Sequence, residues 1–165
     1  MLKVALAGAL LAGAYGVAHD QVTYWLCPEY FTKLKFEQFA YADLGGDRRL
    51  FVATIGFLAT WWVGFITGWF LARVMVPHFP TAHVWRRCWS GFARVFVSAL
   101  AGGATGAGLG ERATHREVAN WMEYASMLGV TDVGHFIWVA YIHVGSYAGA
   151  LAGLFWALIY AKRCY

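Results

Sequence analysis

Four long apolar runs cross this chain, and all nine carboxylates lie in just two of the breaks between them, residues 20–47 and 111–132. The acids are Asp20, Glu29, Glu37, Asp43, Asp47, Glu111, Glu117, Glu123 and Asp132. The other polar breaks hold Lys3, Arg73, Arg86, Arg87, Lys162 and Arg163, and no acid. About 20 apolar residues in a helix cover the roughly 30 Å hydrocarbon core of a bilayer. Lys and Arg beside such spans stay on the cytoplasmic side. The pattern predicts an all-α bundle of four transmembrane helices, with both termini cytoplasmic and the acidic breaks outside.

The spans are expected at about 2–26, 50–72, 89–110 and 133–161, with outer segments at 27–49 and 111–132, in one integral membrane unit. With 60% of its 165 residues hydrophobic and 13% charged, the chain is too apolar for a soluble domain. The net charge of +4 comes from short breaks beside the spans. Anionic lipid head groups explain it better than nucleic acid, which is not expected as a partner. Residues 1–18 also fit a signal peptide, with Lys3, an apolar stretch and Gly16-Val17-Ala18. They are read here as a retained span. That span either stops at Ala18, which is short, or continues through His19, Asp20 and Gln21 to Leu26. The longer reading takes ionisable groups below the outer surface.

Glycines recur at four-residue spacing: Gly64 and Gly68 in the second span, Gly102, Gly106 and Gly110 in the third, Gly145, Gly149 and Gly153 in the fourth. Such spacing lays a flat strip on one helix face and lets backbones approach closely. Glycine-mediated packing is therefore expected, with the partner of each strip left open. Arg94, near the inner end of the third span, is expected to snorkel.

Both outer segments should be structured. Asp47 is a candidate helix N-cap after Gly45-Gly46, and Thr114 to Glu117 reads as a capping box before a short amphipathic helix that Gly129 ends. Residues 28–39 alternate in a way compatible with an extended segment. Phe31, Phe36, Phe39, Trp121 and Tyr124 are too many aromatics to face water and form a candidate interface. Three cysteines do not make a disulfide framework, since Cys27 is expected outside and Cys88 and Cys164 inside.

Ionisable groups at membrane depth are costly, so His19, Asp20 and His143 become the candidate site, with Ser146 one turn below His143. Two imidazoles and a carboxylate can ligate zinc, iron or copper. The same groups can relay protons or satisfy one another structurally. His135 lies about 80° from His143 around the helix and reads as a cap. Glu29, after Pro28, fits the first turn of a short helix. Nucleotide-binding glycine patterns, CxxC, HExxH and GxSxG are absent from the sequence.

The strings His19-Asp20-Gln21, Pro28-Glu29-Tyr30-Phe31-Thr32, Ala59-Thr60-Trp61-Trp62-Val63-Gly64 and His143 with Ser146-Tyr147 resemble a group of small bacterial integral membrane proteins described as hypothetical or signal-peptide-containing. The resemblance implies that the outer polar residues belong to a recurring pattern, and it implies no activity. Small size, glycine-faced helices and rim aromatics lead to the expectation of a non-catalytic accessory subunit. It would belong to a larger, energy-transducing assembly in the bacterial inner membrane, with lipid and other membrane subunits as partners. The alternative is a membrane metalloprotein or proton-coupled enzyme using His19, Asp20 and His143, and a transporter ranks third.

Overall fold

The computed structural model describes residues 1–116 and 118–162, except for the side chains of Thr81, Ala82 and Val118. Among the described residues the chain is helical, with no strand. Helix α1 runs unbroken from Leu2 to Leu26, which answers the question of the first span in favour of the longer helix. It stops because Pro28 disfavours helical geometry at the residue before it, and Cys27 turns extended (φ −146°, ψ 93°).

The segment after Cys27 is a correction to the extended expectation. It is helical throughout, as α2 (Pro28–Tyr30), a π-helical turn (Phe31–Lys35) and α3 (Phe36–Gln38), followed by a 3-10 turn at Ala40–Ala42. Pro28 occupies the first turn of α2, where its missing N–H costs nothing. The wider π turn seats Phe31 fully inside, among Val52, Phe136 and Val139, so the apparent alternation is a buried face rather than a strand.

Helix α4 (Arg48–Met75) begins at Asp47, whose Oδ1 accepts from the Arg49 N–H at 2.6 Å. Gly45 supplies the left-handed turn before it (φ 68°). Helix α5 spans Thr81–Arg116, longer than the 89–110 expected at both ends. Thr114 therefore lies inside a helix, donating its hydroxyl to the Gly110 carbonyl at 2.8 Å, and does not act as a cap. Its capping-box partner Glu117 falls outside the described residues. Helix α6 (Val118–Leu128) ends at left-handed Gly129 (φ 65°), and α7 covers Val133–Lys162. Four of these helices, α1, α4, α5 and α7, are long and apolar enough to cross a membrane. Their outward faces carry large apolar side chains such as Leu10, Val97 and Phe155.

The bundle is built as two pairs. Helix α1 packs along α4 and α5 along α7 over most of their lengths, while contacts between the pairs are sparse. A methyl group on Gly64 would fall on the Gly8 carbonyl, and one on Gly56 on the Gly16 carbonyl. In the other pair, Gly102 and Gly145 each stand against the other's carbonyl, and Gly149 and Gly153 lie against Ser98. Gly68 rests on Val4 and Ala5, Gly106 on Tyr141, and Gly110 on Tyr141 and Trp138. Thr60 adds a hydroxyl bond to the Ala12 carbonyl at 2.7 Å, and the Trp138 indole donates to the Ala107 carbonyl at 2.9 Å. Arg94 meets no acid among the described residues. Its guanidinium donates to the Ser90 carbonyl and lies 3.8 Å from the centre of the Tyr160 ring.

Apolar clusters join the pairs at both ends. Near the chain termini, Val4, Leu71, Cys88, Phe92 and Ala157 interlock. At the opposite, loop end, Phe31, Val52, Ala125, Phe136 and Val139 do so. Between the two clusters the pairs stand apart around a cavity of about 960 Å³.

Candidate metal centre

Asp20 and His143 carry the centre of this site, one from each helix pair. Because α1 continues past Ala18, Asp20 lies about 9 Å along the helix from Leu26, by the 1.5 Å rise. His143 lies about 15 Å into α7 from Val133 by the same rise. Both end up in the interior, with Asp20 only 4% and His143 7% exposed. Asp20 Oδ1 is 3.2 Å from His19 Nδ1 and 3.3 Å from His143 Nε2. The two imidazole rings meet edge to face, 4.7 Å between centres. His19 Nε2 in turn lies 3.3 Å from Ser146 Oγ.

The protonation of His143 can be read from its neighbours. Its Nδ1 lies 3.0 Å from the Val139 carbonyl oxygen, which only accepts, so Nδ1 carries the hydrogen. Nε2 is buried and lacks hydrogen-bond geometry to any described partner, though it faces the Asp20 carboxylate. In the neutral ring Nε2 is a lone pair pointed at an anion. A cation between the two atoms removes the conflict.

The geometry suits one. Metal–ligand bonds near 2.1 Å place neighbouring ligand atoms of a tetrahedral site about 3.4 Å apart. The 3.2 and 3.3 Å separations from Asp20 are close to that edge. Ligand atoms of all three residues lie within 4.8 Å of one another. The Val139 carbonyl fixes the tautomer of His143, the usual second contact of a metal-bound histidine. Thr23 braces the same turn of α1, donating its hydroxyl to the His19 carbonyl at 3.1 Å.

Sequence reasoning brought forward His19, Asp20, His143 and Ser146, and the fold puts all four together. It did not anticipate Tyr15, one turn before His19, whose ring centre is 5.6 Å from that imidazole. Nor did it anticipate Tyr30, which covers His143 at 4.8 Å between ring centres. The four-residue step from Tyr15 to His19 was the available signal for the first. His135 stands apart, paired with Asp132 at 2.8 Å where α7 begins. Glu29 is also separate. Its carboxylate accepts from the Thr131 hydroxyl at 2.6 Å and from the Thr131 and Asp132 N–H groups at 3.0 and 2.8 Å. Those bonds hold its carboxyl below the usual range, the Thr131 hydroxyl foremost and the Asp132 N–H next.

Of the aromatics expected at an interface, Phe31 is wholly buried within the chain. Phe36 stacks on Phe51 at 4.7 Å, Trp121 packs toward Phe136, and Phe39 is half-buried. Tyr124 remains exposed. Cys27 and Cys88 are buried free thiols, as small core residues would be, and Cys164 lies outside the described residues. Comparison with protein-family models, curated proteins and solved structures gives no match for this chain.

Proposed function

We propose that this protein is a metal-binding protein of the bacterial inner membrane, holding a divalent transition-metal ion between its two helix pairs through His19, Asp20 and His143. Both termini face the cytoplasm, by the Lys and Arg residues beside the spans. The site then lies toward the outer side. The glycine contacts within each pair act as rigid seams, and the site joins one pair to the other.

One observation carries the reading: the buried, unpartnered Nε2 of His143, aimed at the Asp20 carboxylate with its tautomer fixed by Val139. Two neutral imidazoles and one carboxylate leave a divalent ion with a single net positive charge and an open position. The test is elemental analysis of the protein purified without chelator, beside His143→Ala. About one metal ion per chain, lost in the variant, is expected. A metal-free wild type with a stability equal to that of His143→Ala overturns it.

The second reading is an accessory subunit of a larger membrane assembly. Its support is the apolar surface left at the loop end, where Trp25, Tyr41 and Met127 are each more than 70% exposed. It predicts co-migration with other membrane proteins on a native gel. A homogeneous, stable monomer in mild detergent counts against it.

A further inference from the structure

The cavity between the helix pairs is not used by the metal reading, and the polar site forms part of its wall. Along α1 its lining runs from Leu26 to Gly8, about 27 Å by the helical rise. Its middle is walled by small apolar residues such as Ala12, Ala99, Ala104 and Ala107. At about 960 Å³ it stands at the upper end of small-molecule sites. A volume this long and apolar inside a bilayer has room for an extended hydrocarbon tail.

The polar groups lie toward the loop end. Tyr15 Oη is buried with no partner in hydrogen-bond geometry among the described residues, and Tyr15 lines the same cavity. Ser146 Oγ faces His19 Nε2 and lines the same cavity. When His19 binds a metal through Nδ1, its Nε2–H can donate to Ser146, which frees the Ser146 hydroxyl to donate into the cavity. Two donors then converge on one region, beside the edge-to-face pair of Tyr15 and Phe96. They call for an acceptor oxygen on the head of the occupant.

Depth and charge narrow the occupant further. The site lies about 9–15 Å along the helices from their loop ends. A phosphate or carboxylate head taken to that depth would lose its water and meet the Asp20 carboxylate. A neutral head does neither. We infer that the cavity binds a long-chain quinone, its carbonyl oxygen on Tyr15 and Ser146 and its single tail in the apolar cleft between the helix pairs. This goes beyond the metal reading: the Tyr15 donor is present with or without the ion, and only the Ser146 contact rests on that reading.

The experiment uses the full chain in phosphatidylcholine nanodiscs, titrated with decylubiquinone while tryptophan emission is followed, because Trp89 and Trp138 line the cavity. A saturable quench near one quinone per chain is expected, above the linear quench from quinone dissolved in the lipid. Tyr15→Phe removes one donor and keeps the ring, and should weaken binding about tenfold, in line with one lost hydrogen bond to a buried group. Ala104→Phe fills the cleft and should abolish the saturable part. Dioleoylglycerol, which has two tails, should not displace the probe. A purely linear quench, unchanged affinity in both variants, or displacement by dioleoylglycerol at equal concentration overturns the inference. Metal content is measured on the same samples. Quinone binding without metal sinks only the metal centre, and metal without saturable quinone binding sinks only this proposal.

Discussion

His143 Nε2 stands 3.3 Å from Asp20 Oδ1 across the gap between two helix pairs that otherwise touch mainly at their ends. Bridged by the proposed ion, it becomes one of the polar ties across the middle of the bundle, with the His19–Ser146 contact and the Tyr147 hydroxyl donating to the Ala59 carbonyl at 3.2 Å. A polar tie in a low-dielectric interior is strong when complete and costly when half removed.

His143→Ala leaves the Asp20 carboxylate buried beside fewer partners. Removing one member of a buried pair costs about 3–5 kcal/mol, whereas removing both is far milder. The double variant Asp20→Ala with His143→Ala should therefore be more stable than His143→Ala alone, read as the thermal midpoint in detergent. A double variant that loses the sum of the single losses would show that the two residues do not interact.

Gly64 and Gly108 should respond oppositely to alanine. At Gly64 the new methyl falls on the Gly8 carbonyl, so α1 and α4 must separate, at a cost of about 1–3 kcal/mol or more. At Gly108 it meets nothing within 4 Å, and alanine should stabilise helix α5 by about 0.5–1 kcal/mol. Unfolding in mixed micelles of rising SDS content reads both. Equal effects would remove close backbone approach as the reason for the glycine at position 64.

Glu29 ties α2 to the start of α7 through Thr131 and Asp132. Its folded pKa lies below the unfolded value of 4.5, so its contribution is full above pH 4.5 and lost as pH falls through the folded value. The difference in thermal midpoint between wild type and Glu29→Ala should be largest at neutral pH and shrink toward zero in acid. A difference that stays constant from pH 7 to pH 3 contradicts this.

The proposed membrane sidedness rests on the basic breaks and can be read by labelling. A maleimide that does not cross membranes should reach Leu44→Cys in intact spheroplasts, and Arg86→Cys only after lysis. Both positions are exposed, Cys27 and Cys88 are buried, and the labelling is done in a Cys164→Ser background. The reverse pattern would invert the topology.

The membrane class and the four long helices were legible in the sequence, because runs of apolar residues between charged breaks are a local property that needs no tertiary contact. Helix ends were less so. Helix α5 runs past Gly110 to Arg116 because nothing in Glu111-Arg112-Ala113 breaks a helix, and the Thr114 hydroxyl bonds back to Gly110. Residues 28–38 misled by alternating polar and apolar residues, whereas in the structure the two buried residues, Tyr30 and Phe31, are consecutive in a helical stretch.

The chain's own order of residues determined the apolar spans, the glycine strips on α4, α5 and α7, and the list of ionisable groups placed at depth. Only the tertiary structure decided that Gly64 meets Gly8, that Gly102 meets Gly145, and that Asp20 lies inside against His143 rather than at the surface. The reason is physical. Spacing along a helix fixes which side chains share a face, but the facing partner depends on how whole helices pair. Asp20 and His143, 123 positions apart by their residue numbers, meet because two pairs, each packed glycine to glycine, close on each other at both ends.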